Sequence, residues 1–154
     1  MAERDLRGAV VAVVGASGGL GRPIVEALAA RGAAVVLAGP HPDRLAEVAP
    51  TPDALAVGLD IRRPQGGDDL VDAVSARFGR LDGLVVTSGV VAFGTLADTD
   101  DDVVEELFLT NVLGPLWMVK RATPLLAASK GFVVLVSAVL AEQPLPGMAA
   151  FDAP

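Results

Sequence analysis

The stretch Ala9-Val10-Val11-Ala12-Val13-Val14-Gly15-Ala16-Ser17-Gly18-Gly19-Leu20-Gly21 decides the fold. Its first six residues are aliphatic with no polar alternation, the pattern of a strand covered on both faces. Glycines at 15, 19 and 21 then follow the spacing GxxxGxG; a GxGxxG reading from Gly19 fails because Ile24 stands where its third glycine should be. A small-residue loop between a strand and a helix lets backbone N–H groups and the helix N-terminus approach a pyrophosphate. The glycines alone would equally suit a tight turn. Their place after the first of several strands favours nucleotide binding.

Outward from this loop, short aliphatic runs alternate with helical patterns, as in βαβ units around a parallel sheet. A helix is expected from about Gly21 to Ala30, closed by Arg31-Gly32, then a strand over Ala34–Ala38 and a turn at Gly39-Pro40-His41-Pro42. A short helix follows around Asp43–Val48 and a strand over Leu55–Leu59. Gly66-Gly67 is expected to open a helix over Asp68–Phe78, ahead of a strand at Gly83–Thr87. The longest helix should run from Asp100 to Leu126, and Gly131–Ser137 reads as a fifth strand. Right-handed crossovers give the strand order 3-2-1-4-5 in a doubly wound α/β sheet. The 154 residues show no internal repeat or linker and read as a single domain.

Composition narrows the function. Hydrophobic residues make up 52% and aromatics 4%, with mean hydropathy +0.53, so the core is aliphatic. No apolar run approaches the roughly 20 residues of a spanning helix, and the charged N-terminus does not resemble a secretory signal. Nineteen acids against twelve bases, a net charge of −7, leave no dense basic patch for nucleic acid. With no cysteine and one histidine, neither a thiolate zinc site nor an imidazole cluster can form, so no metal site is expected. The lack of cysteine fits a cytoplasmic protein. His41 reads as a surface turn residue. Asp98, Asp100, Asp101 and Asp102 read as first-turn acids that complement a helix dipole, and Trp117 and Met118 as core or interface residues.

The chain resembles the short-chain dehydrogenase/reductase family along essentially its whole length. Its glycine loop matches that family's TGxxxGxG with Val14 at the threonine position. Leu59-Asp60-Ile61 looks like the Asp-Val pair beside the adenine ring, and Val86-Thr87-Ser88-Gly89 stands in place of Asn-Asn-Ala-Gly, keeping only the glycine. Asn111, in Thr110-Asn111-Val112-Leu113-Gly114-Pro115, matches the active-site asparagine. The resemblance implies a Rossmann-like domain that binds NAD or NADP through Gly15, Ser17, Gly18, Gly19, Leu20, Gly21, Asp60, Ile61, Ser88 and Gly89. The end of the second strand, Ala38-Gly39-Pro40, carries neither the acid that suits a ribose hydroxyl nor the arginine that suits a 2′-phosphate. Arg22, Arg44 and Asp43 are the nearby charged alternatives, read first as solvated helix-end residues.

The same resemblance exposes missing chemistry. Aligning the fifth strand and the Pro146-Gly147 turn with the family puts Ala138 at the catalytic serine and Phe151 at the catalytic tyrosine, and the lysine would fall one residue past Pro154. Alanine has no hydroxyl and phenylalanine no ionisable proton, so of the catalytic set only Asn111 survives. Ser137 is adjacent, but strand alternation would turn it to the opposite face. Pro115 lacks the N–H that would bond the Asn111 carbonyl, which either frees that oxygen for a water or kinks the long helix with Asn111 satisfying the kink; the kink is the preferred reading. The expected function is therefore a non-catalytic, nicotinamide dinucleotide-binding partner subunit. The alternative is the N-terminal part of an NAD(P)-dependent oxidoreductase, with the family's C-terminal strands absent. The fifth strand would then have an open apolar edge, which implies cover by a homo- or hetero-oligomer partner or by further chain.

Overall fold

A computed structural model describes residues 6–51, 54–138, 143 and 145–153. Five parallel strands, β1 (Val10–Val14), β2 (Ala34–Gly39), β3 (Leu55–Gly58), β4 (Gly83–Val86) and β5 (Phe132–Leu135), pair in the order β3-β2-β1-β4-β5. This is the expected order. In register, Val10 faces Ala34 and Val14 faces Ala38 across β1 and β2, while Val11 faces Gly83 and Val14 faces Val86 across β1 and β4. The chain reverses its direction of winding between β1 and β4, which opens a crevice beyond their C-terminal ends.

The helices are α1 (Gly21–Ala30), α2 (Pro42–Glu47), α3 (Pro64–Phe78), α4 (Asp101–Phe108), α5 (Gly114–Ser129) and α6 (Ala149–Asp152). Because β1 is apolar on both faces, it feeds two cores. Val10, Ala12 and Val14 pack with Leu70, Val74, Met118 and Leu126 from α3 and α5, whereas Val11 and Val13 pack with Val25, Leu37 and Leu45 towards α1 and α2. Each fully buried valine or leucine contributes about 1.5–3 kcal/mol, so β1 is the mechanical centre of the domain.

Three expectations need correction. Gly66 and Gly67 lie inside α3 rather than ahead of it, since the helix begins at Pro64 with Arg63 as its cap. Both are buried because α5 crosses there: a Cβ on Gly66 would stand 2.6 Å from the Asp60 carbonyl oxygen, and one on Gly67 3.1 Å from that of Trp117. The helix expected over Asp100–Leu126 is broken into α4, a π-helical turn at Leu109–Leu113, and α5, which runs on to Ser129. Finally, β5 is regular only over Phe132–Leu135, and Val136 to Ala138 continue without strand pairing as an element.

Charge fixes the far end of the sheet. Asp82 accepts bonds from Arg80 Nη2 at 2.6 Å, Arg80 Nε at 2.9 Å and the Val10 N–H at 2.8 Å, tying the entries of β1 and β4 together. The Arg80 hydrogen bonds hold its carboxyl below the usual carboxylate range, against the opposing effect of burial. Among the described residues no helix is long and apolar enough to cross a membrane.

Candidate functional site

The crevice at the C-terminal ends of β1, β2 and β4 is a cleft of about 850 Å³. Its wall includes Gly15, Ser17, Gly18, Gly19, Leu20, Asp60, Ile61, Ser88 and Gly89, so nine of the ten residues picked out by sequence converge on one surface. Gly21 is the exception. It is buried behind the loop, and a Cβ there would collide with the Gly15 carbonyl oxygen. Gly15 is also a packing glycine: its φ is +86°, and a Cβ would stand 2.7 Å from Thr87 Oγ1 and 2.8 Å from Ser88 Oγ. Gly19 differs from both. It has no positive φ, and a Cβ built on it meets nothing within 4 Å. Packing does not require glycine there.

The opposite wall shows how this chain manages without the family's Asn-Asn pair after β4. Thr87 donates from its hydroxyl to the Val14 carbonyl at 3.0 Å, with a longer 3.3 Å contact to that of Gly15, and its N–H bonds the Val14 carbonyl at 2.9 Å. The threonine thus stitches β4 to the start of the glycine loop. Asn111 does not satisfy a helix kink, as expected from Pro115. Its Nδ2 donates to the Val90 carbonyl and its Oδ1 accepts from the Val90 N–H, both at 2.9 Å. Asn111 lies within the π turn Leu109–Leu113, and its side chain pins the backbone after β4 at Val90.

Asp60 is tightly engaged. Arg62 reaches Oδ1 through Nε at 2.9 Å and through its own N–H at 3.0 Å, and Oδ2 through Nη2 at 2.9 Å; it also meets Glu106 Oε1 at 3.3 Å. The Arg62 hydrogen bonds hold the Asp60 carboxyl below its ordinary range, and Asp60 raises the arginine in turn. Arg62, Glu106, Thr110, Pro40 and His41 line the cleft but were not picked out as site residues. The spacing Asp60-Ile61-Arg62 was the available signal for the first of these; Thr110 was hidden because a helical pattern does not disclose a π turn. His41 is exposed, as expected of a turn residue, yet it borders the cleft, whereas Arg22, Asp43 and Arg44 stand off its wall.

A second pocket of about 410 Å³ adjoins the cleft through Thr87, Ser88, Gly89 and Val90. Asn111, Pro115, Ser137, Ala138 and Phe151 line it, so the positions aligned with the family's asparagine, serine and tyrosine do meet. Ser137 and Ala138 both border the pocket, because the chain has left regular strand geometry after Leu135 and alternation no longer separates them. The Phe151 segment is held by α6, through the Phe151 N–H to the Met148 carbonyl, and by the Gly94 N–H to the Gly147 carbonyl at 2.7 Å.

A doubly wound parallel sheet with a glycine loop at its switch point defines the dinucleotide-binding class of α/β folds. Residues 9–154 match the short chain dehydrogenase family, and the chain belongs to it. It is 33% identical to 11-beta-hydroxysteroid dehydrogenase A of Sesamum indicum, over 97% of this chain and 45% of that protein. It is 35% identical to an uncharacterized oxidoreductase of Methylorubrum extorquens, over 96% of this chain and 61% of that one. L-sorbose reductase of Gluconobacter frateurii, solved with NADPH and L-sorbose, superposes with a TM-score of 0.89 at 27% identity, covering 97% of this chain and 60% of the other. The chain spans about half the length of the curated relatives it matches.

Proposed function

We propose that the chain binds a nicotinamide dinucleotide, NAD or NADP, in the cleft and is catalytically silent in its own second pocket, acting as a binding or partner subunit. The open backbone face of Gly19 on the cleft wall carries the reading, because that glycine has no packing reason to be one. The loop Gly15–Leu20 and the start of α1 would hold the pyrophosphate, Asp60 and Ile61 would flank the adenine end, and Ser88 and Gly89 would face the ribose near the second pocket. The NADPH held by the sorbose reductase agrees in chemical class. A bound nicotinamide supplies hydride chemistry. On the protein side that chemistry needs a proton donor, and neither Ala138 nor Phe151 offers one.

Thermal shift with NAD, NADH, NADP and NADPH tests the binding. A ligand at 100 times its Kd adds about 2.7 kcal/mol, which at this chain length raises Tm by roughly 5–10 °C. Gly19→Ala should leave the unliganded Tm in place and abolish the shift; no shift with any of the four at millimolar concentration would sink the reading. Turnover of alcohols or ketones by the chain alone would overturn the silent half of it.

The lengths of the relatives favour a second reading, in which these residues are one part of an NAD(P)-dependent oxidoreductase. The intact mass of the polypeptide in its source cells separates the two.

A further inference from the structure

Resting on the reading of the second pocket as catalytically silent, we infer that this pocket still binds: it holds an uncharged, mainly apolar molecule that carries one oxygen, and the Ser137 hydroxyl is the side-chain group that bonds that oxygen. The space of about 410 Å³ is of a size that takes a small ligand. Val86, Val91, Pro115, Leu135, Val136 and Phe151 give it an apolar wall, and none of the described residues that line it carries a charge. An ionised ligand would find no counter-charge there, and a polyol would turn most of its hydroxyls towards carbon.

The other polar side chains of the wall are already engaged or turned elsewhere. Asn111 uses both Oδ1 and Nδ2 on the Val90 backbone, and the Thr87 hydroxyl donates to the Val14 carbonyl. Ser88 Oγ is turned to the glycine loop, where a Cβ on Gly15 would stand 2.8 Å from it, and Ser88 lines the cleft as well as the pocket. Ser137 differs from all three. It lines the pocket and not the cleft, it is exposed, and its hydroxyl has no hydrogen-bond partner among the described residues. The Val136 N–H bonds the Val86 carbonyl at 3.0 Å and so anchors the preceding residue, while regular strand geometry has ended at Leu135. Ala138 beside it offers only a methyl group. A hydroxyl both donates and accepts, so a ketone and an alcohol oxygen suit it alike.

Probes of nearly one shape test this: acetophenone; α-methylstyrene, in which a methylene group replaces the oxygen; and benzoate, in which a carboxylate replaces the acetyl group. L-sorbose serves as the polyol. Kd is read by titration in nitrogen–proton correlation spectra, which also locate the site, with and without the dinucleotide that gives the largest thermal shift. In the natural chain acetophenone should perturb the lining residues 88–91 and 135–138. Ser137→Ala should weaken acetophenone about three- to tenfold, the loss of one net hydrogen bond, while leaving α-methylstyrene and the Tm of the free chain unchanged. Ser137→Thr, which keeps the hydroxyl, should restore the ketone affinity. Benzoate and L-sorbose should bind the natural chain at least about tenfold more weakly than acetophenone. The inference is overturned if Ser137→Ala leaves the ketone unaffected or weakens both isosteres equally, if benzoate or L-sorbose binds as tightly as acetophenone, or if acetophenone fails to bind at millimolar concentration. The cofactor reading is judged apart from this, by thermal shift: its failure with the ketone preference intact would leave the Ser137 assignment standing. Consumption of NADH or NADPH with acetophenone would overturn the silence of the pocket and not the hydrogen bond.

Discussion

Gly15, Gly19 and Gly21 look alike in the sequence, and only their surroundings separate their roles. Two fill space too tight for a methyl group and one faces an open cleft. The motif was therefore legible as a spacing, while the division between tightly packed and open glycines was not, because it depends on the segments that fold back against the loop. The same holds for Asp60, whose place beside the cleft was legible but whose capture by Arg62 was not, since helix and strand periodicities say nothing about salt-bridge partners. Asp82 makes a prediction at this scale. Its folded pKa is lowered, so its contribution to stability is present above the unfolded value, about 3.9, and fades as pH falls through the folded value. Asp82→Asn should lower stability at neutral pH by on the order of 1–3 kcal/mol. A plot of Tm against pH should show the variant and the natural chain converging below about pH 4; a gap that stays constant into acid would refute the role assigned to this carboxylate.

Among the elements, existence and order were readable because buried parallel strands are aliphatic runs and caps mark helix ends. What escaped was contact between elements. Gly66-Gly67 reads as a helix breaker in isolation, yet in the fold it is the place where α3 lies against α5 and the Asp60 turn. Alanine is the better helix former by about 0.5–1 kcal/mol, so propensity alone predicts that Gly66→Ala stabilises. The 2.6 Å approach of the new Cβ to the Asp60 carbonyl predicts the reverse. Overpacking of this kind costs about 1–3 kcal/mol, a fall in Tm of several degrees that calorimetry would register. An unchanged or higher Tm would show that α3 is not held this close to the Asp60 turn. The long helix was misjudged for a related reason: Pro115 was visible, but the chain absorbs it upstream through a π turn, which turns Thr110 and Asn111 to two adjoining pockets.

Across the whole molecule, the asymmetry of the sheet stands out. β1, at its centre, is fully buried, while Phe132, Val133, Val134, Leu135 and Val136 at the opposite limit are each between 39% and 49% exposed. The expectation of an apolar open edge came from the composition and the family alignment together, and the coordinates give it an address. That edge has a kinetic signature in amide hydrogen exchange. The Phe132 and Val136 N–H groups donate to the carbonyls of Asp82 and Val86, so strand alternation directs the amides of Val133 and Leu135 away from β4. An uncovered β5 should exchange at two speeds along five consecutive residues, slow at 132 and 136 and fast at 133 and 135. Slow exchange at all of them would mean that in solution a second strand has taken the vacant side, and the deuterium uptake of two amides would then report the assembly state of the protein.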